Sequence, residues 1–284
     1  MRPQPWYAWM LAAAVCLLLA AAPPASHHFR FAILGDRTGE AVAGVYEAVW
    51  QQVVRAHPAF VVNVGDSIEG GHDASAAAEW SALRPLWKGA ALFLTPGNHD
   101  IWSAASERVW REQTGHAPFY SFDFQNLHVT VLDNSRSEEV SPEQYRFLEA
   151  DLAQHAGQRP KLIFLHRPSW LIPVLLRSPD FALQRLAKQY GVDAVISGHI
   201  HQLSRYRLDG VLYLEAGSSG GHIDRLSNAG KTYAQRFEQG WFFQWLEAEV
   251  EGEHVSFTIH ELGPPFGQGR TIALESWGQT RAAK

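Results

Sequence analysis

The sequence predicts an α/β fold in which two packed mixed β-sheets are flanked by helices. Five short apolar runs each end abruptly in polar residues, which is typical of buried strands. Segments of helical character separate these runs, so helical crossovers should join the strands in a largely parallel sheet. From Leu203 onward the pattern becomes β throughout, and a second sheet packed against the first accounts for that change.

The elements follow in chain order. The five predicted strands and their ends read RFAILGD (30–36), FVVNVGD (60–66), ALFLTPGNHD (91–100), LIFLHRP (162–168) and AVISGHIH (194–201). The predicted helices cover residues 39–57, 75–87, 101–114, 142–155 and 180–190. Ser141 followed by Pro142 marks a helix start, because serine caps helices and proline suits the first helical position. Residues 119–133 alternate like a hairpin around Gln125 and Asn126.

Both ends of the chain lie outside the predicted domain, residues 28–262. Residues 1–25 resemble a secretory signal peptide, with a single charge at Arg2 and an apolar run from Met10 to Ala22. We therefore expect a secreted or periplasmic protein. Pro23 disturbs the cleavage site, so an uncleaved anchor at residues 6–22, facing outside the cytoplasm, stays open. The tail, residues 263–284, is rich in Gly and Pro and is expected to be irregular.

Composition limits the partners. The 284 residues include 24 basic and 29 acidic side chains, a net charge of −5. This balance gives no basic patch for a nucleic-acid scaffold. Membrane contact is expected only if the leader is retained, and nothing indicates an obligate protein partner. The only cysteine, Cys16, lies in the leader, so any metal site in the exported part must use nitrogen and oxygen ligands.

Metal-binding side chains stand at the ends of all five predicted strands. They are Asp36, Asp66, Asn98, His166, His199 and His201. Strand ends of an α/β sheet face one crevice, so these residues should converge there. Mixed nitrogen and oxygen ligands suit iron, manganese or zinc. Six ligands exceed what one catalytic ion needs, which predicts two ions, the arrangement that clamps an in-line displacement at phosphorus.

The neighbours of Asn98 have two interpretations. Asn98, His99 and Asp100 form an ordinary turn, since Asn and Asp tolerate tight bends. Alternatively, His99 stands beside the ions without binding them and protonates a leaving alkoxide. Asp100 would then hold the His99 ring in the useful tautomer.

Five ordered motifs resemble those of the calcineurin-like metallophosphoesterases, the superfamily that includes purple acid phosphatases. They are GDRTG (35–39), GDSIEGG (65–71), GNHD (97–100), FLHRP (164–168) and GHIH (198–201). The resemblance implies a four-layer αββα sandwich and a small phosphate ester substrate. It also implies that Asp66 bridges two ions, that Asp36 and His201 complete one site, and that Asn98, His166 and His199 complete the other.

The first motif departs from the family pattern. Where the family has a histidine this chain has Thr38, so Thr38 itself, a water or Glu69 is expected to fill the position. Arg37 is predicted to contact the substrate phosphate, because a guanidinium matches phosphate oxygens in a fork. The identity of the ions stays open among iron, manganese and zinc.

The favoured function is an exported phosphomonoesterase with a dinuclear metal-hydroxide mechanism. One alternative is a phosphodiesterase of nucleotides or lipids. The other is a non-catalytic secreted binding protein whose metal site has decayed, an interpretation favoured by Thr38. Two further stretches stay open: residues 167–181 around Trp170 form an apolar wall for the substrate or a lid, and residues 217–222 form a site loop or a flexible connection.

Overall fold

The fold is α/β, with two mixed β-sheets flanked by helices, as the sequence predicts. A computed structural model describes residues 27–277 apart from 88, 177, 179, 224–230 and 234–236. The predicted leader, residues 1–25, lies outside the described residues. Within the described part of the chain, no helix has the length and apolar character needed to cross a membrane.

The first sheet has six strands in the order β14-β13-β12-β1-β2-β3. Three strands from the start of the chain run parallel, and three from its end pair antiparallel with them and with one another. These strands are β1 (His28–Leu34), β2 (Val61–Asn63), β3 (Leu92–Leu94), β12 (Gln244–Glu251), β13 (His254–Gly263) and β14 (Gly267–Ala273).

The second sheet has eight strands in the order β10-β11-β8-β9-β7-β6-β5-β4. Its central strands β5, β6, β7 and β9 run parallel, while the outer strands pair antiparallel. The strands are β4 (Tyr120–Phe124), β5 (Leu127–Val131), β6 (Lys161–Phe164), β7 (Ala194–Ser197), β8 (Leu203–Leu208), β9 (Val211–Ala216), β10 (Lys231–Tyr233) and β11 (Phe237–Gly240).

The prediction of one largely parallel sheet for the five runs was wrong. The hairpin of β4 and β5 starts a new sheet, and the fourth and fifth runs, β6 and β7, add to β5 rather than to β3. The two sheets nevertheless meet where their strands end. Asp36 pairs with Ser218, and Ser218 pairs with Phe243. The strand ends of both sheets therefore still open into one crevice.

The prediction of an irregular tail over residues 263–284 was also wrong for the part that the structure describes, whereas residues 278–284 lie outside the described residues. Only residues 264–266 form a turn, and β14, which begins at Gly267, then pairs with β13. Behind it, Leu274 and Trp277 are buried in the core between the sheets. Burying a large apolar side chain stabilises a fold by roughly 1.5–3 kcal/mol, which explains why this segment is ordered.

Apolar side chains from both sheets fill the space between them, where Phe31 stacks on Phe60 with ring centroids 4.5 Å apart. Helices cover the outer faces: α1 packs on the first sheet, and α4, α5 and α6 pack on the second. The helices are α1 (Val45–Ala56), α2 (Asp73–Leu83), α3 (Ala104–Thr114), α4 (Pro142–Gln154), α5 (Leu171–Leu175) and α6 (Ala182–Tyr190), with short 3-10 turns at Arg84–Trp87 and Leu274–Ser276.

Local sequence explains where the helices begin. The Ser141 hydroxyl accepts a hydrogen bond from the amide of Gln144, and Pro142 takes the first helical position, as predicted. Helix α3 starts at Ala104 rather than Ile101, because the amides of Asp100 and Ile101 both bond the Gly97 carbonyl in a tight turn. This turn positions the strand-end residues that follow β3.

Candidate metal centre

The structure brings all six strand-end residues together. Asp36, Asp66 and Asn98 follow β1, β2 and β3, whereas His166, His199 and His201 follow β6 and β7 of the other sheet. His166 Nε2 lies 3.2 Å from Asp66 Oδ2 and 3.1 Å from Asn98 Oδ1. His201 Nε2 lies 3.3 Å from Asp36 Oδ2. The site therefore forms across the edge where the two sheets meet.

Two groups of potential metal ligands overlap at one carboxylate. Asp66, His166 and His199 form one group, and Asp36, Asp66 and His201 form the other. Within each group the ligand atoms lie within 4.8 Å of one another. Asp66 belongs to both, which is the arrangement expected of a carboxylate that bridges two ions.

The His166 ring shows why a cation belongs here. Its Nδ1 faces the Val64 carbonyl oxygen at 3.0 Å, and because that oxygen can only accept, Nδ1 carries the proton. In the neutral ring Nε2 is then a lone pair, yet it faces oxygens of Asp66 and Asn98. Burial lowers the pKa of His166, but the Asp66 carboxylate outweighs it and raises that pKa to about 9. A proton or a metal ion must therefore lie between Nε2 of His166 and the facing oxygens of Asp66 and Asn98.

His201 repeats the pattern on the other side of Asp66. Its Nδ1 donates to the His222 carbonyl at 2.6 Å, which leaves Nε2 facing the Asp36 carboxylate. Burial lowers the pKa of His201, but the hydrogen bond and charge of Asp36 raise it to about 9. Backbone carbonyls thus fix the tautomer of both rings, the usual outer contact of a metal-binding histidine.

Spacing and burial also fit metal ions. Ligands about 2.1 Å from one ion stand roughly 3.0–3.4 Å apart in octahedral or tetrahedral geometry, and the separations of 3.1–3.3 Å fall in that range. Asp36 is fully buried, and its Oδ1 has no hydrogen-bond partner among the described residues. A buried carboxylate oxygen without a partner is costly unless a cation compensates it. The residues present therefore fit a metal centre.

Backbone strain is concentrated at the same ligands. Asp66, His199 and His201 have φ values of 54°, 79° and 57°, in the left-handed region. Each such residue costs on the order of 1–3 kcal/mol and persists where function requires it. Gly97 is also required, since a β-carbon there would collide with the Asp66 carboxylate. Close approach of the chain to the ligands explains this motif glycine.

The predicted role of Asp100 was wrong. Its buried carboxylate accepts hydrogen bonds from the amides of Gly97 and Ser67 at 2.9 Å each, so it holds the two motif loops together. Instead, the Glu69 carbonyl lies 2.5 Å from His99 Nδ1 and orients that ring. The His99 amide donates to Asp66 Oδ1 at 2.9 Å. His99 therefore stands directly beside the shared carboxylate, as predicted, but another residue positions it.

The two arginines that directly follow candidate ligands, Arg37 and Arg167, make different contacts. Arg37 donates to the Ser67 carbonyl at 3.0 Å, and its guanidinium lies 5.5 Å from the centre of the Tyr46 ring. Nothing tests its predicted contact with the substrate phosphate, and these two contacts favour a structural role instead. Arg167, for which no role was predicted, places Nη1 3.1 Å from His199 Nε2. Its position directly after His166 was the only signal for it in the sequence.

Glu69 is not free to take the place of the histidine that the first motif lacks. The Glu69 carboxylate accepts from the amides of Glu40 and Ala41 at 3.3 and 2.8 Å, so it braces the loop after the first motif. The Thr38 hydroxyl is fully buried near this carboxylate and makes no hydrogen bond of ordinary geometry. Of the two side chains considered for the position, Thr38 is the one left available to an ion.

The two stretches left open by the sequence are now placed. Residues 217–222 belong to the site: the amides of Ser219 and Gly221 donate to the Asp36 carbonyl, and the His222 carbonyl orients His201. Trp170 is fully buried, and its Nε1 donates to Ser197 Oγ at 3.2 Å. The indole therefore anchors its segment and is itself no part of a wall for a substrate, whereas the exposed residues that follow it leave the choice between a wall and a lid open.

Comparison with known proteins agrees with this geometry. The family model described as calcineurin-like phosphoesterase matches residues 29–203, more than half of the chain and all six strand-end residues. The chain belongs to the calcineurin-like phosphoesterase family. Over 155 residues it is 26% identical to Purple acid phosphatase 15 of Arabidopsis thaliana, an alignment that covers 45% of this chain but only 29% of that protein.

A second curated relative and a solved structure are also similar to this chain. The chain is 24% identical over 164 residues to a Probable cyclic nucleotide phosphodiesterase of Vesicomyosocius okutanii subsp. Calyptogena okutanii, covering 55% of this chain and 70% of that protein. The structure of a purple acid phosphatase from yellow lupin (Lupinus luteus) seeds aligns with a TM-score of 0.66 at 16% identity. That alignment covers 89% of this chain and 54% of the lupin chain, and at this identity it concerns the fold alone.

Proposed function

We propose that this protein is an exported phosphoesterase that hydrolyses small phosphate monoesters with two bound metal ions, of iron, manganese or zinc. The observation that carries the proposal is the shared Asp66 carboxylate, which joins two groups of nitrogen and oxygen ligands. Mixed ligands of this kind suit these three metals. Asp36 and His201 would hold one ion, and Asn98, His166 and His199 the other.

The protein's own residues supply orientation and proton transfer. When bound, the ions polarise the phosphate and lower the pKa of the attacking water. His99 donates a hydrogen bond from its Nδ1–H to the Glu69 carbonyl, so Nε2 is the ring nitrogen left for the substrate. In its doubly protonated form the ring transfers the Nε2 proton to the oxygen of the leaving group as the phosphorus–oxygen ester bond breaks, and the ring is left neutral with its proton on Nδ1. Arg167, beside His199, binds a phosphate oxygen.

Monoesters are the first choice because the chain is similar in sequence to a purple acid phosphatase. Phosphodiester hydrolysis is the second candidate, and the similarity to a probable cyclic nucleotide phosphodiesterase favours it. The two differ in how many ester groups the phosphate carries. A diester presents one fewer anionic oxygen to Arg167 and the ions.

The test compares p-nitrophenyl phosphate with its bis ester on the purified protein supplied with manganese, zinc or iron. We expect hydrolysis of the monoester, lost in both Asp66→Ala and His99→Ala. Preference for the bis ester would establish the second candidate instead. Metal binding without turnover of either compound would contradict both and support the non-catalytic binding protein.

Export rests on the N-terminal sequence, with its apolar run from Met10 to Ala22. Expression with and without residues 1–25 tests it. We expect the full chain to be recovered outside the cytoplasm as a shortened species. Recovery of an unshortened chain in the membrane fraction would instead identify residues 6–22 as an anchor.

A further inference from the structure

Exposed aliphatic side chains occur in the two chain segments that carry candidate ligand histidines. Among the residues that the structure describes, five large hydrophobic side chains are exposed: Val54, Ile172, Leu175, Leu176 and Ile200. Four of these five lie in the two segments that carry the ligand histidines. Ile200 stands between His199 and His201, whereas Ile172 and Leu175 lie on α5 and Leu176 is the residue that caps its C-terminus. We call Ile172, Leu175, Leu176 and Ile200 the apolar platform.

Helix α5 is a built element rather than a frayed loop. The amides of His166 and Arg167 both donate to Asn134 Oδ1 at 3.0 Å, which fixes the start of the segment. Trp170 and Val174 are buried in the core behind the second sheet. The inner face of α5 is thus anchored, and its outer face is held in place.

The exposed positions share one face. Ile172, Leu175 and Leu176 are spaced i, i+3 and i+4, which places them side by side on a helix. They are 68%, 54% and 74% exposed. Large apolar residues grouped on one exposed face mark a binding surface more often than scattered single residues do.

The residues of α5 follow the candidate metal centre closely along the chain. Arg167 lies 3.1 Å from a ligand histidine, and α5 starts four residues further along the chain. A residue advances the chain by at most about 3.6 Å, so Ile172 lies within roughly 20 Å of Arg167. A molecule with an anionic phosphate at one end and an aliphatic chain at the other could place its phosphate at Arg167 and its chain on the apolar platform.

The area of the platform decides between a small amphiphile and a protein partner. Fully burying one aliphatic side chain removes roughly 60–120 Å² from water, so four remove at most about 500 Å². A specific protein interface needs about 800 Å² on each partner. The platform is therefore too small for a stable protein interface, whereas one extended alkyl chain fits it.

We propose that the substrate of this centre is a phosphate ester of a single long aliphatic chain, and that the apolar platform receives that chain. The inference rests on the proposed phosphoesterase function and names its substrate class. The phosphate lies at the metal ligands and Arg167, and the chain leaves along α5 past Leu176.

The test uses a homologous series of butyl, octyl and dodecyl phosphate below micelle-forming concentrations. Phosphate release by the metal-supplied protein gives kcat/KM, and calorimetry gives the affinity of each ester. We expect kcat/KM to rise by about fourfold per methylene over the part of the chain that contacts the platform. In the Leu175→Gln/Leu176→Gln double variant, dodecyl phosphate should lose at least about tenfold more kcat/KM than butyl phosphate.

Val54→Gln is the matched control, because Val54 is exposed on α1 and lies outside the platform; it should leave the chain-length dependence unchanged. Equal kcat/KM for all three esters, with p-nitrophenyl phosphate still hydrolysed, overturns the inference and leaves the proposed function intact. If no ester is hydrolysed, the proposed function fails, and the affinities still decide the inference: no rise with chain length overturns it. Dissociation of an oligomer by the double variant would also overturn it, since the platform would then be a contact between copies.

Discussion

Two arginines directly follow candidate ligands in the sequence, and replacing each by alanine should impair a different property of the protein. Arg167 reaches His199 at 3.1 Å, whereas Arg37 is held by the Ser67 carbonyl and the Tyr46 ring. We expect Arg167→Ala to impair catalysis and Arg37→Ala to impair stability.

The magnitudes follow from these contacts. A hydrogen bond from a charged donor contributes about 1.5–3 kcal/mol, so losing the bond to phosphate should lower kcat/KM by about 10- to 150-fold. Arg37 loses one hydrogen bond from its charged guanidinium to a backbone carbonyl, about 1.5–3 kcal/mol, and a cation–π contact of about 0.5–1 kcal/mol. Its replacement should reduce the free energy of unfolding by about 2–4 kcal/mol and leave kcat/KM within about threefold.

The assay is the initial rate on p-nitrophenyl phosphate with saturating metal, combined with chemical denaturation of each variant. Arg167 also pairs with the exposed Glu138, so Glu138→Gln is the control that removes this pair and keeps the guanidinium. Exposed pairs contribute little, and the control should behave like wild type within about threefold in kcat/KM. A larger loss of kcat/KM in Arg37→Ala than in Arg167→Ala, with both variants folded, would refute the reasoning.

Three further predictions concern the loops and the core. Gly97→Ala should lower metal content with little change in secondary structure, because its methyl group would displace the Asp66 carboxylate; unchanged metal content would contradict this. Thr38→Val, which removes only a buried hydroxyl, should weaken binding of one ion by at least about tenfold, as loss of an accessory partner does, and equal affinity by calorimetric titration would exclude Thr38 as a ligand. His128→Asn should reduce the free energy of unfolding by about 3 kcal/mol, because the buried ring bonds the Asp151 carboxylate at 2.9 Å. Burial lowers the pKa of His128, but the Asp151 bond raises it overall, so this contribution should be full below about pH 6.5 and fade as the pH rises through the raised pKa; denaturation curves that show the difference growing with pH would contradict it.

The convergence of the candidate ligands could be predicted because each of them follows the end of a strand with a clear apolar pattern. Strand ends are held by backbone pairing, so Asp66 and His166 have little freedom of position once β2 and β6 form. The pattern of apolar and polar residues does not show which of the two sheets each strand joins. The runs that become β3 and β6 look alike in sequence, and only the pairing of the intervening hairpin separates them.

The error at Asp100 has a physical cause, which is that neighbours in a tight turn point in different directions. Asp100 adjoins His99 in sequence, yet the turn directs its carboxylate toward the amides of Gly97 and Ser67. The sequence also does not show which backbone carbonyls accept hydrogen bonds from the histidine rings. The Val64 and His222 carbonyls orient the rings of His166 and His201. Every residue has a carbonyl oxygen, so the residue type does not reveal which one makes such a contact.

Metal stoichiometry tests the central claim most directly, because the account depends on one carboxylate shared by two ions. The measurement is elemental analysis of the purified protein after saturation with manganese or zinc and removal of excess metal, on wild type and on Asp66→Asn. Asparagine keeps the shape of the side chain and removes the charge that bridges the ions. The account predicts two ions per chain in wild type and loss of at least one in the variant. A single ion in wild type, or two retained in Asp66→Asn, would contradict it.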